Sequence, residues 1–339
     1  MAKRNVVVPI VIIVCMFIFF MFMAVMVGIA VFSSEMPVIG RYTVALVKVE
    51  GVITDTSDEI RLLHKYADSP FVRAIVLRID SPGGSVGASQ ELFREIRKAR
   101  KRSDKPIVAS MGNVAASGGY YVACAADEIY ANPGTVTGSI GVIFQTFDLQ
   151  GVSKKIGFDV NTIKSGKFKD TGSMFREMSP EEKQLLQGTI DDTYDQFLDA
   201  VIEGRRVELA RAYLRRSEHK TSPSLSANVK PTSGTQATTE SAKAEAVPQD
   251  VVKNYLRSFA DGRVLSGRQA KELGLVDNLG DLRDAVSRAA QLAGVRGRPT
   301  VLQEKRKPSV WDLIEGRTSI LSRLTPRNGV SLEYRLSFD

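Results

Sequence analysis

The run Ala74-Ile-Val-Leu-Arg-Ile79 is short and apolar, and it ends directly at the tight loop Asp80-Ser-Pro-Gly-Gly84. A short apolar run bounded by turn residues is typical of a buried strand. Similar patterns predict strands at Tyr42–Glu50, Ile107–Ser110, Glu128–Ala131 and Val160–Ile163, and helices at Gln90–Arg102 and Ser117–Ala126. Strands that alternate with helices predict repeated βαβ units, and therefore an α/β fold whose largely parallel sheet is covered on both faces.

The composition excludes several classes of protein. The chain has 339 residues, of which 43% are hydrophobic and 25% charged, as in ordinary globular proteins. Its two cysteines, Cys15 and Cys124, cannot build a disulfide framework, and its two histidines leave few ways to form a histidine-based triad or zinc site. The net charge of +8 is scattered among nearly as many acidic residues, which is not the pattern of a nucleic-acid binder.

The N-terminal segment Val6–Phe32 contains 27 residues without a single charge. As a helix it would be about 40 Å long, enough to cross a hydrocarbon core of about 30 Å. Because Lys3 and Arg4 precede it, the positive-inside rule predicts a single-pass protein of the cell membrane, with a cytoplasmic N-terminus and everything after Ser34 outside the cytoplasm. A cleavable signal peptide is the alternative, but the run is about twice as long as the apolar part of such a peptide.

The second half of the chain contains one clear helix start and one region of different composition. Ser179-Pro-Glu-Glu182 has an N-cap serine, a proline at the first helical position and a glutamate that closes a capping box. In Ser217–Val247, eleven of 31 residues are Ser or Thr, which predicts a flexible surface insertion. Further along, Asp281–Ala293 is predicted as a helix and Arg296–Lys307 as a basic linker or arm.

Three glycine-rich loops could carry a reaction: Ser81–Ser85, Ala115–Tyr121 and Thr137–Val142. Glycines allow backbone N–H groups to approach a ligand closely. A serine that opens a helix beside two glycines, as Ser117 does, could present its hydroxyl next to N–H donors that stabilise an oxyanion. Taken singly, each loop is better explained as an ordinary tight turn, because glycine-rich loops are common.

A serine nucleophile needs a base, and lysine is the remaining candidate because histidine is so scarce. A neutral lysine can accept a hydroxyl proton where burial and polar neighbours favour the uncharged amine. The stretch Lys164-Ser-Gly-Lys-Phe-Lys-Asp170 contains three lysines just after a predicted strand. A solvated basic loop is the alternative, and composition alone does not distinguish among the three lysines.

Taken together, these stretches resemble the signal peptide peptidase A family, whose members are membrane-anchored serine peptidases with the Clp protease/crotonase fold. The resemblance runs from about Tyr42 to Ala293 and is interrupted by the Ser/Thr-rich region. Five stretches carry it, in this order: Asp80-Ser-Pro-Gly-Gly84, Ala116-Ser-Gly-Gly-Tyr-Tyr121, Thr137-Gly-Ser-Ile-Gly-Val142, Lys164–Asp170 and Asp261–Asp277.

The resemblance implies a role for five residues. Ser117 would be the nucleophile and Lys169 the general base of a Ser/Lys dyad, with the N–H groups of Gly84 and Gly118 as oxyanion donors. Ser139 would orient the lysine amine, although shaping the turn is an equally good explanation of that residue. The resemblance implies no metal and no cofactor.

It further implies an endopeptidase that degrades remnant signal peptides and other apolar peptides at the membrane. Its partners would be these peptides, membrane lipid around the N-terminal helix and further copies of the chain in a homo-oligomeric ring, but no nucleic acid. A crotonase-type acyl-CoA enzyme on the same fold and a non-catalytic membrane scaffold are the alternatives. We also consider that the tail Leu332–Asp339 visits a nearby active site as a pseudo-substrate.

These expectations divide the chain into five parts. They are a cytoplasmic tip and transmembrane anchor (1–34), the first part of the catalytic domain (41–216), the flexible insertion (217–250), the last part of the catalytic domain (251–294), and a basic C-terminal linker and tail (295–339).

Overall fold

The computed structural model describes residues 16–26, 43–221, 235–304 and 333–335. The chain separates into two compact units, Met1–Arg41 and Tyr42–Asp339. In the first unit, residues 16–26 form helix α1, and the rest of the expected anchor Val6–Phe32 lies outside the described residues. Within the described ranges, no helix has both the length and the apolar character needed to cross a membrane.

The second unit is built on a largely parallel sheet. The described strands are β1 (Thr43–Glu50), β2 (Val72–Ser81), β3 (Gly83–Ser85), β4 (Ile107–Ala116), β5 (Glu128–Ala131), β6 (Val136–Gly138), β7 (Val264–Ser266), β8 (Asn278–Leu279), β9 (Thr300–Leu302) and β10 (Glu333–Arg335). The main path of the sheet is β7-β6-β4-β2-β1-β9, with β5 on β4 and β8 on β5, and only the β6–β7 pair is antiparallel among these described strands. β3 and β10 form a separate antiparallel pair.

Helices cover both faces of the sheet, as the sequence predicted. The helices described in this unit are α2 (Ser57–Asp68), α3 (Val86–Ser103), α4 (Gly118–Ala123), α5 (Gln150–Ile156), α6 (Pro180–Thr221), α7 (Thr235–Glu245), α8 (Gln249–Arg257), α9 (Gly267–Glu272) and α10 (Leu282–Leu292). Successive residues of a strand face opposite sides, so in β1 Ala45 and Val47 join the core beneath α2, α3, α4 and α6. Val44 and Leu46 join a second core against α10. Burial on both faces explains why these strands are continuously apolar.

The predicted capping box at the start of α6 is confirmed. The Ser179 N–H donates to the Glu182 carboxylate at 2.8 Å, and the Glu182 N–H donates to the Ser179 hydroxyl at 3.2 Å. The helix begins at Pro180. This reciprocal pair satisfies two amides that would otherwise lack partners at the helix end.

The strand predicted at Val160–Ile163 is wrong. These four residues belong to neither helix nor strand, and all of them are exposed. β-Branched residues favour extended backbone locally, but a strand persists only where a neighbouring strand supplies hydrogen-bond partners and one face is buried. Neither condition is met by this segment in the described chain.

The flexible insertion predicted for Ser217–Val247 is also partly wrong. α6 continues to Thr221, and α7 occupies Thr235–Glu245, while residues 222–234 lie outside the described residues. Ala244 is fully buried, and the Arg206 guanidinium donates to the carbonyl oxygens of Glu245 and Val247. A few small apolar contacts and these hydrogen bonds therefore hold α7 against α6, although its composition is poor in large aliphatic residues.

The linker predicted for Arg296–Lys307 contains a strand. β9 pairs in parallel with β1, and Thr300 lies opposite Thr43. Two residues beyond β9, the Glu304 carboxylate accepts a hydrogen bond from Lys65 at 2.7 Å. The ordered sheet thus extends about ten residues beyond the domain boundary expected at residue 294, because three residues suffice to add an edge strand to an existing sheet.

A buried ion pair gives a test of this packing. The Arg205 side chain is 1% exposed and bonds both oxygens of the Asp277 carboxylate, at 2.7 and 2.8 Å. Arg205→Ala should lower the free energy of unfolding by about 3–5 kcal/mol, because it leaves the carboxylate without its cation. Urea denaturation followed by circular dichroism measures this.

The control for that test is Arg97→Ala, which breaks the more exposed Arg97–Glu203 pair. It should cost no more than about 1 kcal/mol. Equal losses in the two variants would contradict the structural importance of the buried pair.

Candidate active site

Ser117 lies at the sharp turn between the end of β4 at Ala116 and the start of α4 at Gly118. Its backbone has φ +53° and ψ −119°, a conformation that non-glycine residues rarely adopt and that costs of order 1–3 kcal/mol. Two backbone hydrogen bonds of 2.8 Å hold it, from the Ser117 N–H to the Gly138 carbonyl and from the Tyr121 N–H to the Ser117 carbonyl. A strained strand-to-helix turn of this kind is how hydrolases present a nucleophilic serine.

The Ser117 hydroxyl is buried and unpaired. The residue is 0% exposed, and its Oγ has no hydrogen-bond partner in the part of the chain that the structure describes. A buried hydroxyl without a partner costs about 1–3 kcal/mol, and such groups are rare unless they serve a function. The hydroxyl is therefore available to a base and a substrate.

The structure brings Gly84 next to Gly118, the residue that follows Ser117. A Cβ atom added to Gly118 would lie 3.3 Å from the Gly84 backbone nitrogen and 2.5 Å from the Ser89 Oγ. A Cβ added to Gly84 would lie 2.2 Å from the Ile53 carbonyl oxygen. Both positions therefore require glycine, and the absence of side chains allows two backbone segments to meet beside Ser117.

Ser139 lies in the neighbouring loop. It directly follows Gly138, whose carbonyl accepts the Ser117 N–H. Its backbone also has positive φ, +50°, and its N–H donates to the Arg263 carbonyl at 2.8 Å. These observations show that Ser139 shapes the turn beside Ser117, while its role toward a lysine amine stays a prediction.

The three lysines of the Lys164–Asp170 loop have different surroundings. The Lys164 amine bonds the Asp170 carboxylate, and the Lys167 amine forms an ion pair with Glu181. Lys169 is exposed, and its amine has no hydrogen-bond or ion-pair partner among the described residues. In the described single chain, then, the Lys169 amine does not contact the Ser117 hydroxyl, and the predicted dyad is not assembled.

Arg176 fixes this loop to the start of α6. Its guanidinium donates to Asp170 at 2.9 Å and to Glu182 at 2.8 Å. The hydrogen bonds from Arg176 hold the pKa values of both carboxyl groups well below their usual range. Both groups therefore stay ionised, and the residue that follows Lys169 is anchored electrostatically to the capping box of α6. The sequence analysis did not single out Arg176, since an arginine four residues before a glutamate-rich helix start has no distinctive pattern.

Cys124 is the other potential nucleophile in this region. It is fully buried, and burial raises the pKa of its thiol to about 12. A thiol that stays protonated is a poor nucleophile. The candidate nucleophile is therefore Ser117.

The C-terminal segment also reaches this site. β10 (Glu333–Arg335) pairs with β3, the strand that contains Gly84, and β10 contacts α4 as well. Nothing in the composition of the last residues predicts this pairing, because backbone hydrogen bonding to a strand edge depends little on side chains.

Comparison with known proteins identifies the family. The model of peptidase family S49 matches residues 99–213 and 246–296. The chain is 35% identical to a Synechocystis protein named as a protease, over 83% of this chain and 86% of that protein. It is 31% identical to an Enterococcus faecium protein named signal peptide peptidase SppA, over 70% of this chain and 60% of that protein. A chloroplastic serine protease of Arabidopsis thaliana is 33% identical, over 76% of this chain and 32% of that protein.

The matched residues include the turn at Ser117, the Lys164–Asp170 loop and α6 up to Tyr213, and they resume just after α7 and continue past α10. They contain β4 to β8, whereas β1 to β3, with Gly84, and β9 lie outside the match. The α/β arrangement fits a Clp/crotonase-like peptidase fold. The chain therefore belongs to peptidase family S49, in agreement with its resemblance to the signal peptide peptidase A family.

Proposed function

We propose that this protein is a serine endopeptidase in which Ser117 and Lys169 form the catalytic dyad. The observation that carries the proposal is the Ser117 hydroxyl, which is fully buried, unpaired among the described residues and held on a strained turn. Gly118 follows Ser117 in the chain, and the Gly84 backbone lies against Gly118. A peptide carbonyl placed there would face a nucleophile on one side and backbone N–H donors on the other.

In the proposed mechanism, the neutral Lys169 amine accepts the proton of the Ser117 hydroxyl as Oγ attacks the peptide carbonyl carbon. The oxyanion accepts hydrogen bonds from the N–H groups of Gly84 and Gly118, each contributing about 3–4 kcal/mol of transition-state stabilisation. The protonated amine then gives its proton to the leaving nitrogen. Water, deprotonated by the same amine, hydrolyses the acyl-enzyme.

The surroundings of the three loop lysines support Lys169 as the base. Lys164 and Lys167 each lie against a carboxylate, Asp170 and Glu181 respectively. An amine held against a carboxylate is not available to a serine hydroxyl. Lys169 lacks such a partner among the described residues, so its amine remains available to Ser117.

Exposed apolar side chains around the lysine loop support assembly into a homo-oligomeric ring. In the single chain, Ile156 is 72% exposed, Ile163 is 102% exposed and Phe168 is 41% exposed. Large exposed apolar patches mark interaction surfaces, and these three residues lie within thirteen positions of the chain. We propose that further copies of the chain cover this segment, and that assembly encloses the Lys169 amine with the Ser117 hydroxyl in a site that excludes water.

We further propose that the enzyme acts at the cell membrane on remnant signal peptides and other apolar peptides. The charge-free segment Val6–Phe32 supports an anchor with a cytoplasmic N-terminus, which places the peptidase unit outside the cytoplasm. The name of the Enterococcus faecium relative agrees with this substrate class. An anchored peptidase meets substrates that are themselves held in the bilayer, which raises their local concentration.

Substitution of the dyad tests the proposal. Ser117→Ala and Lys169→Ala should each lower kcat for an apolar fluorogenic peptide by about 10³-fold or more, because each removes a group that acts directly on the reacting atoms. Lys167→Ala is the matched control from the same loop and should retain nearly the wild-type rate. Full activity in either dyad variant rejects the dyad, provided that gel filtration shows unchanged assembly.

A fluorophosphonate probe separates the peptidase from its alternatives. The probe should label wild-type protein at Ser117 and should not label Ser117→Ala, because it reacts with an activated serine. A hydratase of the crotonase type would turn over an acyl-CoA without being labelled. Absence of both labelling and turnover would favour a non-catalytic scaffold.

The Arg176 cluster predicts a specific pH dependence of stability. The pKa values of Asp170 and Glu182 are lowered, so their ion pairs with Arg176 stabilise the fold above about pH 4, near which free carboxyl groups titrate. This stabilisation is lost as the pH falls toward the lowered pKa values. The thermal midpoint of the wild type should therefore exceed that of Arg176→Ala by a constant amount from about pH 8 to about pH 5, and the difference should shrink below about pH 4.

Differential scanning calorimetry measures these midpoints. Arg268→Ala is the control, because Arg268 is exposed and has no ion-pair partner among the described residues. It should not change the midpoint at any pH in this range. Equal thermal midpoints for the wild type and Arg176→Ala at neutral pH would contradict the anchoring of the lysine loop by Arg176.

A further inference from the structure

A cavity of about 500 Å³ lies between the second half of α6 and the segment that runs from α9 to β8. This volume is within the range of sites that bind small molecules. Seven of the ten residues that line the cavity carry a charge. None of the ten belongs to the turn at Ser117 or to the Lys164–Asp170 loop, so the proposed peptidase reaction does not account for this cavity.

Four cationic side chains reach the cavity from two helices. Arg211 and Arg215 belong to α6, and Arg268 and Lys271 belong to α9. Residues three or four positions apart share one side of a helix, so each pair presents both of its side chains in the same direction. Two helices therefore bring positive charge to one concave surface.

Two of the three acidic residues in the lining already have a cationic partner. Both oxygens of the Asp277 carboxylate accept hydrogen bonds from Arg205, at 2.7 and 2.8 Å. The Glu208 carboxylate lies 3.8 Å from the Arg211 guanidinium. Glu272 is the third, and it has no ion-pair partner among the described residues.

The remaining cations of the lining are unpaired. Arg215, Arg268 and Lys271 are exposed, and none of them forms an ion pair within the described part of the chain. Three cations thus face a single free carboxylate, and this local excess of positive charge attracts an anion. Val276 and Leu279 add apolar surface to the same cavity, which suits the organic part of a ligand.

We propose that this cavity binds the phosphate group of an organic phosphate, carried either by a soluble phosphate ester or by the head group of a phospholipid. A phosphate monoester has three acceptor oxygens and nearly two negative charges at neutral pH. The forked guanidinium groups of Arg215 and Arg268 can each donate two hydrogen bonds to such oxygens, and the Lys271 ammonium adds a compact charge. The proposal does not depend on the peptidase reaction.

Isothermal titration calorimetry of the full-length protein in a neutral detergent tests the binding. One arm titrates glycerol 3-phosphate, with glycerol as the blank, and the other titrates short-chain phosphatidic acid in micelles of the same detergent, with empty micelles as the blank. We expect saturable binding in at least one arm. Binding in the first arm alone identifies a soluble ester, and binding in the second arm alone identifies a lipid head group. Absence of binding in both arms overturns the inference.

Three variants test whether the ligand occupies this cavity. Arg268→Ala should raise the dissociation constant about fivefold, because it removes one charged donor. Glu272→Gln should lower the dissociation constant about threefold, because it removes the free carboxylate that repels the anion. Damage to the fold cannot tighten binding, so this second variant separates an electrostatic site from a structural effect.

The matched control is Arg283→Ala. Arg283 is an exposed arginine of α10 that lies outside the cavity and has no ion-pair partner among the described residues. Its removal changes the net charge as much as Arg268→Ala does, and it should leave the dissociation constant unchanged. Equal dissociation constants in the wild type and all three variants overturn the placement of the ligand in this cavity.

Discussion

The close approach of two backbone segments beside Ser117 is the constraint on which the site depends. Gly84 fits against the Ile53 carbonyl, and Gly118 fits against β3 and Ser89, at distances that no side chain would allow. Hydrogen bonds on each side fix both segments, so their N–H groups are oriented before any substrate arrives. Such preorganised donors are the most effective form of electrostatic catalysis, because no reorganisation accompanies the reaction.

The parallel sheet supplies the rigidity that this arrangement needs. Ser117 follows β4, Gly84 follows β2 through a short loop, and Ser139 follows β6, and these strands are direct neighbours. Their carboxyl ends meet at one edge of the sheet, which is where α/β proteins bind ligands. Cores on both faces hold the strands in place, so the strain of the Ser117 turn is balanced by many ordinary contacts.

The sequence predicted the parts of the structure that depend on local patterns. The apolar run before Asp80, the capping box at Ser179 and the glycines around Ser117 each have a local physical cause, and each lies where it was expected. Val160–Ile163 shows the limit of this reasoning, because strand formation depends on a partner strand elsewhere in the chain.

Other features of the site depend on long-range contacts, and local patterns do not reveal them. α7 is stable only because its few apolar residues meet α6, and Arg176 acts through two carboxylates six residues away on either side. The preference for Lys169 over its two neighbours came from the family resemblance, and the ion pairs of Lys164 and Lys167 now give it a physical reason. In the proposed assembly, contacts between copies would set the position of the Lys169 amine.

The pairing of β9 with β1 covers an edge of the parallel sheet. Without β9, the edge of β1 would present a row of unpaired N–H and carbonyl groups along the apolar stretch Val44–Val47, which is a template for unwanted association between chains. The three residues of β9, inside the predicted basic linker, thus cover this edge and prevent such association. We expect that shortening the protein from its C-terminus exposes the edge of β1 once β9 is removed, so the ordered sheet extends to Leu302 rather than ending at the last helix.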